Sequence, residues 1–353
     1  MTFTLDIYTD YLISSTGQTS ATGLSRLYDG AISHDQVTRL LTNSYLDSKA
    51  LWAKSKPLIP SAEQSQSVDD FAVLIVDDCI LEKAHTDQNA MISTYYDHSA
   101  HRYVNGLNFI SLLYQSGALS LPIAAVLIEK TVSQYNAKRG KYELKSSFTK
   151  NEYLRQMLQT AQQQVQYGYL LADSWYASAE NMNFVLGLSR HFLFALESCR
   201  TVAFSKEDRA GGKFQSLDSL TFPDKQPLKV YLRSVKQALL VVRQVFTNKD
   251  GTQGILYLVS SDTNLDYQQI TTIYKRRGKV EEYHKSLKQN TSMGKSPTKT
   301  PDTQANHFYA SMMAYIELEA LKIKCSIGHF QLKAKLYLAG IKAMQQQLNI
   351  IAA

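Results

Sequence analysis

The chain contains several continuous apolar runs of strand length, each followed by acidic or turn-forming residues. The run 71–76 (FAVLIV) stops at Asp77-Asp78, and the run 167–172 (YGYLLA) stops at Asp173. Short apolar runs with such boundaries predict buried strands, and 3.6-residue spacing between them predicts helices. Further strands are predicted at 103–115, 121–129 and 191–196, and helices at 154–165 and 177–188. Because strands alternate with helices in the later part of this region, the pattern predicts a mixed α/β sheet.

The first 65 residues have a helical pattern instead. Ser20 is suited to cap a helix that continues to Tyr28, and Ser33 is suited to cap a second helix after the turn at Asp29-Gly30. Two short helices around a glycine-containing turn are typical of a helix-turn-helix, and equally of an ordinary helical hairpin. Two prolines and the polar run SAEQSQS predict a boundary near residue 65.

Beyond residue 198 the pattern changes to alternating β-type segments, with a hairpin turn predicted at 248–251. A long helix is then predicted from about Tyr267 to Lys288, and two more helices at 305–325 and 332–350. The predicted organisation has four parts: a helical N-terminal region (1–65), the first part of an α/β core (66–198), a β-rich insertion (199–262), and the second part of the core with C-terminal helices (263–353).

Positive charge is concentrated in one segment of the chain. The 353 residues carry a formal net charge of +7, and the segment from Tyr274 to Lys299 holds eight Lys or Arg residues against only Glu281 and Glu282. A basic cluster of this density favours a polyanionic partner. A solvated helix face is the alternative interpretation of such a run.

The three cysteines are far apart and belong to no CxxC or Cys/His cluster. This spacing argues against a structural zinc site or a disulfide framework and favours a reducing compartment. The N-terminus lacks the basic start of a signal peptide, and no apolar run reaches membrane-spanning length. The sequence therefore predicts a cytoplasmic protein without membrane contact.

Two of the apolar runs end in the same way, with an aspartate directly after the last apolar residue. A carboxylate at the end of a buried strand is held rigidly at the rim of the sheet, where its oxygens suit a hard divalent cation. The ordinary alternative is that aspartate favours turns. Asp77 is the preferred candidate of the first pair because it directly follows the apolar run, with Asp78 as the alternative, and Asp173 is the candidate of the second run.

The predicted basic helix carries the most specific pattern. Tyr274, Arg277, Glu281 and Lys288 are spaced three, four and seven residues apart, which places them within a wedge of roughly 60° on one helix face. A separate arc of apolar residues is suited to pack on the sheet. One face therefore presents a carboxylate beside a phenol, a guanidinium and an ammonium, groups that can bind a metal ion and an adjacent phosphate.

This pattern, Tyr-x2-Arg-x3-Glu-x6-Lys, resembles the signature of the IS4-like insertion-sequence transposases at all four positions. The segments LIVDDCILEK and LLADSWY are similar to that family's two aspartate motifs. The β-rich segment between the second aspartate and the glutamate is similar to the family's insertion in an RNase H-like fold. The resemblance covers residues from about 70 to 325.

The resemblance implies a DDE mechanism with two Mg²⁺ or Mn²⁺ ions bound by Asp77, Asp173 and Glu281. These ions would support cleavage at the ends of a bacterial transposable element and strand transfer into target DNA. It also implies that Arg277 and Lys288 hold DNA phosphates and that Tyr274 positions the DNA end. The implied partners are double-stranded DNA, as inverted-repeat ends and target, and a second copy of the chain in the nucleoid-associated synaptic complex.

Several alternatives remain at this point. An RNase H-like nuclease that cuts without joining, or an inactive DNA-binding protein derived from a transposase, would have the same fold and acids. A glycosidase would also need paired carboxylates, but the basic helix does not suit a neutral sugar. Trp175, beside Asp173, is expected to be a buried aromatic that supports the site, with an exposed base-stacking role as the alternative. His284 is expected to be packed or at the surface rather than a ligand.

Overall fold

The computed structural model describes residues 3–60, 71–97, 100–248 and 250–352. A central sheet forms around β1 (Val73–Glu82), which pairs antiparallel with β3 (Arg102–Ser116) and parallel with β7 (Tyr169–Ala172). Next to β7, in parallel, lies β8 (His191–Leu196). Strand β4 (Leu119–Leu127) pairs with β3 on the edge away from β1. The first four residues of β1 and all of β7 are buried, as expected for strands covered on both faces.

The remaining elements extend or cover this sheet. Its outer part is built by β9 to β13. Strand β13 pairs with β8, and the sheet continues outward in the order β8-β13-β12-β11-β9-β10. The segment predicted as a β-rich insertion therefore extends the core sheet itself. The bounds of these strands are Thr201–Ala203, Gln215–Ser216, Leu228–Leu232, Leu239–Thr247 and Gln253–Ser260, in the sequence order β9 to β13. The other two strand pairings involve β2 (Ser93–Asp97), which pairs with β3, and the separate hairpin β5 (Val132–Asn136) with β6 (Lys141–Lys145).

Helices flank the sheet, and together with it they confirm the predicted mixed α/β fold of the RNase H-like class. The N-terminal helices are α1 (Leu5–Ser14), α2 (Ala21–Leu27), α3 (His34–Asn43) and α4 (Ser48–Ser55). Between the strands lie α5 (Lys150–Ala161), α6 (Ala179–Gly187) and the short α7 (Lys206–Ala210). The C-terminal helices are α8 (Tyr267–Lys275), α9 (Gly278–Asn290), α10 (Pro301–Cys325) and α11 (His329–Ala352). In the described part of the chain, no helix combines the length and apolar character needed to cross a bilayer.

The two N-terminal helices predicted from their capping serines are present. Ser20 caps α2, and Ser33 forms a capping box with Gln36 at the start of α3. Helices α1 to α3 share a small apolar core with Ala310, Ala314 and Leu318 of α10. The boundary predicted near residue 65, including SAEQSQS, lies outside the described residues.

Strand β1 does not stop at Asp77-Asp78 as predicted but continues to Glu82. The reason is that β3 is 15 residues long and supplies backbone partners along the whole of β1, as far as Gly106 opposite Glu82. A side chain at Gly106 would bring its Cβ within 2.3 Å of the Leu81 carbonyl oxygen. The glycine therefore permits this close approach of the two strands.

The long helix predicted from Tyr267 to Lys288 is also divided, into α8 and α9, with Arg276 and Arg277 between them. The backbone keeps a helical sense there, but its hydrogen bonds tighten to the i→i−3 pattern, as in Arg277 N–H to the Tyr274 carbonyl. Arg276 explains the position of the break. Its guanidinium donates to the Phe71 carbonyl (2.8 Å) and to the Gln115 carbonyl (3.0 Å) and so ties the junction to the central sheet.

Candidate active site

Two aspartates lie level with each other on neighbouring parallel strands. Val73 pairs with Tyr169 and Ile75 with Leu171, and the same register carried two residues further brings Asp77 opposite Asp173. Pairing between β1 and β7 ends before these positions, so the two carboxylates lie where the strands begin to separate. This is the rim position that the apolar runs predicted, although β1 itself continues on its other edge.

Arg277 joins the three predicted acidic residues. Its Nη2 lies 3.4 Å from Asp77 Oδ2 and 3.7 Å from Asp173 Oδ2, and its Nη1 lies 3.1 Å from Glu281 Oε1. The Arg277 side chain is only 18% exposed. A single guanidinium thus gathers three carboxylates that are distant in sequence.

Tyr274 borders the same cluster, whereas Lys288 lies further along α9. The Tyr274 hydroxyl donates to the Ala172 carbonyl (3.3 Å), directly before Asp173. Burial raises the pKa of Tyr274 to about 12, so the hydroxyl remains a proton donor. Lys288 is exposed, and its ammonium lies beside the thiol of Cys79, two residues after Asp77. The structure therefore groups five of the six predicted site residues and places the sixth at the margin.

Burial disfavours the charged form of the two aspartates, and a nearby cation opposes this effect. Burial raises the pKa of Asp77 to about 7, against the opposing influence of Arg277 and with a further rise from Asp173 and Asp78. Burial likewise raises the pKa of Asp173. Arg277 has a raised pKa despite its own burial, because Asp77 stabilises the charged guanidinium. The cluster is therefore an electrostatic environment that favours positive charge between its carboxylates.

The donor set fits a hard divalent cation. All three acidic side chains offer carboxylate oxygens, the ligands that Mg²⁺ prefers, and two of them are partly buried with raised pKa values. Within the described ranges, no three His, Cys, Asp or Glu side chains already form a close metal-ligating group. Arg277 lies between the three carboxylates, and Glu281 is 69% exposed on the first turn of α9. A metal ion bound here would share these oxygens with the guanidinium or displace it.

Asp78 contacts two other side chains beside the acidic cluster. Its Oδ2 lies 2.5 Å from Lys150 Nζ, and its Oδ1 accepts a hydrogen bond from the buried Tyr176 hydroxyl (3.0 Å). Asp77 is the residue of the two that contacts Arg277. Lys150 and Tyr176 were missed from the sequence. The sequence contains a local signal for the position of Lys150, because this residue directly follows Thr149, whose capping box starts α5.

Trp175 is not buried, contrary to expectation: it is 64% exposed. Asp173 caps a short 3₁₀ turn, Ser174–Tyr176, by accepting the Trp175 N–H (3.0 Å). In that turn Tyr176 occupies the buried position and Trp175 points outward, with Lys150 Nζ 5.7 Å from its ring centroid. An exposed indole therefore borders the acidic cluster. His284, as expected, is packed, with its ring against Phe109 and Tyr283.

An open cleft of about 420 Å³ adjoins the acids. On one side it is lined by Tyr274, Arg277 and Glu281, and on the other by Gln244 of β12 and Leu256 of β13. The outer strands of the sheet therefore form a wall beside the carboxylates. The site is accessible from solvent along this wall.

Two models of known protein families match the chain. The family model for the DDE superfamily endonuclease matches residues 2–216, and the model for the transposase DDE domain matches residues 147–316. No curated protein matches the chain. The first match covers more than half of the chain, and the second includes both Asp173 and Glu281. The chain therefore belongs to the DDE superfamily of endonucleases, and it is a DNA-cleaving enzyme of the transposase type.

Proposed function

We propose that this protein is a DNA transposase of the IS4-like group that cleaves element ends and transfers the strand into target DNA. The observation that carries the proposal is the convergence of Asp77, Asp173 and Glu281 on one guanidinium beside an open cleft. The Tyr-x2-Arg-x3-Glu-x6-Lys pattern supports assignment to this group. The protein would act on nucleoid DNA in a bacterial cytoplasm.

DDE-type endonucleases generally use divalent metal ions, and Mg²⁺ or Mn²⁺ is proposed here with the three carboxylates as ligands. When bound, two such ions supply an activated oxygen nucleophile and stabilise the leaving oxygen of an in-line displacement. The role of the protein side chains is to bind the metal ions and to orient the DNA. Asp77 and Asp173 provide fixed oxygens from adjacent strands, and Glu281 provides one from α9. Arg277, once its carboxylate partners bind metal, is free to pair with a DNA phosphate.

Tyr274 is proposed to help position the DNA end. Its hydroxyl is held at the carbonyl directly before Asp173, so the ring lies along the approach to the acids. Helices α2 and α3 are proposed to recognise the element's ends as a helix-turn-helix. The α3 face that points away from the α10 core carries the exposed residues His34, Asp35, Arg39 and Thr42.

A strand-transfer assay separates this proposal from a nuclease that only cuts. The substrate is duplex DNA carrying the inverted repeats that flank the reading frame, either intact or already cleaved at the 3′ end, with a supercoiled plasmid as target. A transposase joins the pre-cleaved ends to the plasmid in Mg²⁺ or Mn²⁺. Cleavage of the intact ends without any joined product would identify a nuclease, and neither activity would identify an inactive DNA-binding protein.

Lys288→Ala is expected to weaken binding to end DNA. The ammonium is exposed and faces the β1 side of the cluster, where a phosphate adjoining the cut site would lie. Loss of one phosphate contact lowers the slope of log affinity against log salt by about 0.9. Fluorescence anisotropy over a salt series measures this slope.

The matched control is Lys279→Ala, on the same helix. Lys279 lies about 180° around the helix from Lys288 and is paired with Glu282 (2.8 Å). Its removal is expected to leave the slope unchanged. Equal slopes for wild type and Lys288→Ala would contradict the phosphate role of Lys288.

A homodimer is the proposed assembly, and α11 offers the surface for it. Seven of its exposed apolar side chains recur at alternating spacings of four and three residues, which is the heptad pattern of a coiled coil. The positions are Phe330, Ala334, Tyr337, Ile341, Met344, Leu348 and Ile351. Helix α11 contains no acidic residue, so two copies can pair along this seam without opposing Glu or Asp side chains.

Ile341→Lys, at the centre of this seam, is expected to convert the dimer to a monomer, because it places two ammonium groups against each other. Light scattering after size exclusion should give twice 39.8 kDa for the wild type and 39.8 kDa for the variant. Gln346→Lys, on the outer face of α11, should stay dimeric. A monomeric wild type would refute the role of this seam.

A further inference from the structure

The hairpin β5–β6 stands apart from the main sheet. Among the residues that the structure describes, its two strands pair with each other alone, from Val132 opposite Lys145 to Asn136 opposite Lys141. Eight of its ten strand residues are exposed. An isolated two-stranded hairpin is marginally stable in water. Contact with a binding partner would stabilise an exposed hairpin such as this one. The apolar pattern did not predict these two strands.

One face of the hairpin is aromatic and unusually exposed. Tyr135 and Tyr142 are cross-strand neighbours with ring centroids 5.2 Å apart, and they are 55% and 72% exposed. Leu144, on the same face, is 56% exposed. Tyrosines of this kind offer a flat apolar surface with a polar edge, which suits contact with sugars and base edges.

The hairpin is also strongly basic. Lys138, Arg139, Lys141 and Lys145 are opposed only by Glu143 in the segment 131–146. That glutamate pairs with Arg139 (3.0 Å) and also accepts from the Asn136 amide (2.9 Å). Four cations against one carboxylate leave the segment with a net positive charge, and its three lysines are exposed.

The tip of the hairpin has a defined conformation. The Asn136 side chain accepts from the backbone N–H groups of Lys138 (3.1 Å) and Arg139 (3.3 Å). Gly140 has a φ of +62°, a conformation that favours glycine and closes the turn. The basic tip is thus presented in a fixed orientation on a two-stranded ribbon.

The position of the hairpin connects it to the active site. Its second strand leads within five residues to Lys150 at the start of α5, and Lys150 contacts Asp78 beside Asp77. Each strand of five residues spans about 17 Å. Since one base pair of DNA rises about 3.4 Å, the hairpin projects from its own base by roughly the length of five base pairs.

A groove runs along the inner side of the hairpin. It has a volume of about 840 Å³ and lies between the segment that precedes β2 and the hairpin. Its lining carries three cations, Lys130, Arg139 and Lys141, against the single carboxylate of Glu143, so the groove has a net positive charge. The major groove of B-DNA, in turn, admits a two-stranded β-ribbon.

We propose that the β5–β6 hairpin is a DNA-gripping arm that inserts into a groove of the duplex beside the cleavage site. Lys138 and Lys141 contact phosphates, and the Tyr135–Tyr142 pair lies against the sugars and base edges. This inference rests on the proposed function for the location of the DNA end. The hairpin would provide a DNA-contacting surface of the protein that is separate from the acidic residues and from the helical segment between Tyr274 and Lys288.

The test compares two double variants with the same loss of charge: Lys138→Ala/Lys141→Ala in the hairpin, and Lys335→Ala/Lys342→Ala on α11. Anisotropy with a labelled end duplex is measured over a salt series in Ca²⁺, so that no cleavage is needed. The hairpin variant should lose about 1.8 units of salt slope, and the α11 variant none. Equal slopes for the two variants would overturn the proposal.

A second pair of variants tests the aromatic face without changing charge. Tyr142→Ala should weaken DNA binding about tenfold, whereas Tyr103→Ala, which removes an equally exposed tyrosine (71%) on β3, should not. Hydroxyl-radical footprinting should also lose protection at a patch flanking the cut site in the hairpin variants only. An unchanged footprint would overturn the hairpin proposal and leave the proposed function standing. A wild type that binds no DNA would refute both.

Discussion

Asp173→Asn and Glu281→Gln are expected to lose metal-dependent DNA cleavage by about a thousandfold while end-DNA binding stays within about twofold of wild type. Each substitution removes the charge of one carboxylate but keeps its shape. Metal ions contribute several kcal/mol of transition-state stabilisation, and about 4 kcal/mol corresponds to about a thousandfold in rate. Single-turnover cleavage of an end duplex in Mg²⁺ measures the loss, and anisotropy in Ca²⁺ measures binding.

The chain offers a close control in Glu282→Gln. Glu281 and Glu282 are adjacent on α9 and equally exposed, at 69% and 68%, but Glu282 pairs with Lys279 rather than with Arg277. Its substitution should leave cleavage within about threefold of wild type. Normal cleavage by Asp173→Asn or Glu281→Gln would refute the assignment of these carboxylates.

The same assay decides between the two adjacent aspartates. Asp77→Asn should behave like Asp173→Asn, because both side chains contact Arg277 from neighbouring strands. Asp78→Asn should retain most activity, since Asp78 is engaged by Lys150 and Tyr176. The reverse result would move the first ligand from Asp77 to Asp78.

Arg277→Met is expected to destabilise the metal-free protein by about 3 kcal/mol at pH 8, because it removes the counter-charge of a partly buried group of carboxylates. The loss should be much smaller at about pH 5. The folded-state pKa of Asp77 is raised to about 7 from an ordinary value of 3.8. A carboxyl group whose pKa is raised by folding does not change the free energy of unfolding at pH values where it is protonated in both the folded and the unfolded state. It lowers the free energy of unfolding increasingly as the pH rises from about 4 to 7.

Mg²⁺ should restore much of this lost stability at pH 8, because a cation then takes the place of the guanidinium. Urea unfolding at both pH values, with and without Mg²⁺, measures these effects. Arg102→Met is the control: Arg102 pairs with Glu82 at the surface, with 55% and 42% of the two side chains exposed. It should cost under about 1 kcal/mol, with little response to Mg²⁺. An Arg277→Met protein as stable as wild type at pH 8 would contradict this view of the cluster.

The apolar runs predicted the central sheet because the first four residues of β1, all of β7 and all but the first residue of β8 are buried, which gives each strand an unbroken apolar signal. The apolar runs in β1 and β7 both end at an aspartate, and the structure brings Asp77 and Asp173 level with each other where β1 and β7 separate. The end of β1 was predicted too early. Its continuation to Glu82 depends on β3, a partner more than twenty residues away, and on the close approach at Gly106.

Other features depend on contacts that local patterns do not contain. The break between α8 and α9 follows from the contacts of Arg276 with Phe71 and Gln115, so the sequence alone predicted one helix. Trp175 was expected inside, but the cap formed by Asp173 turns it outward. The β5–β6 hairpin escaped prediction because it buries neither face and so lacks the apolar alternation of a strand.

Crystals of the full chain grown with Mn²⁺ and an end duplex test whether Asp77, Asp173 and Glu281 bind the metal ions used for DNA cleavage. We expect anomalous Mn²⁺ peaks in contact with all three carboxylates, with the Arg277 guanidinium moved from between them. Peaks at other residues, or a guanidinium still bridging the acids at Mn²⁺ concentrations that support cleavage, would contradict this expectation.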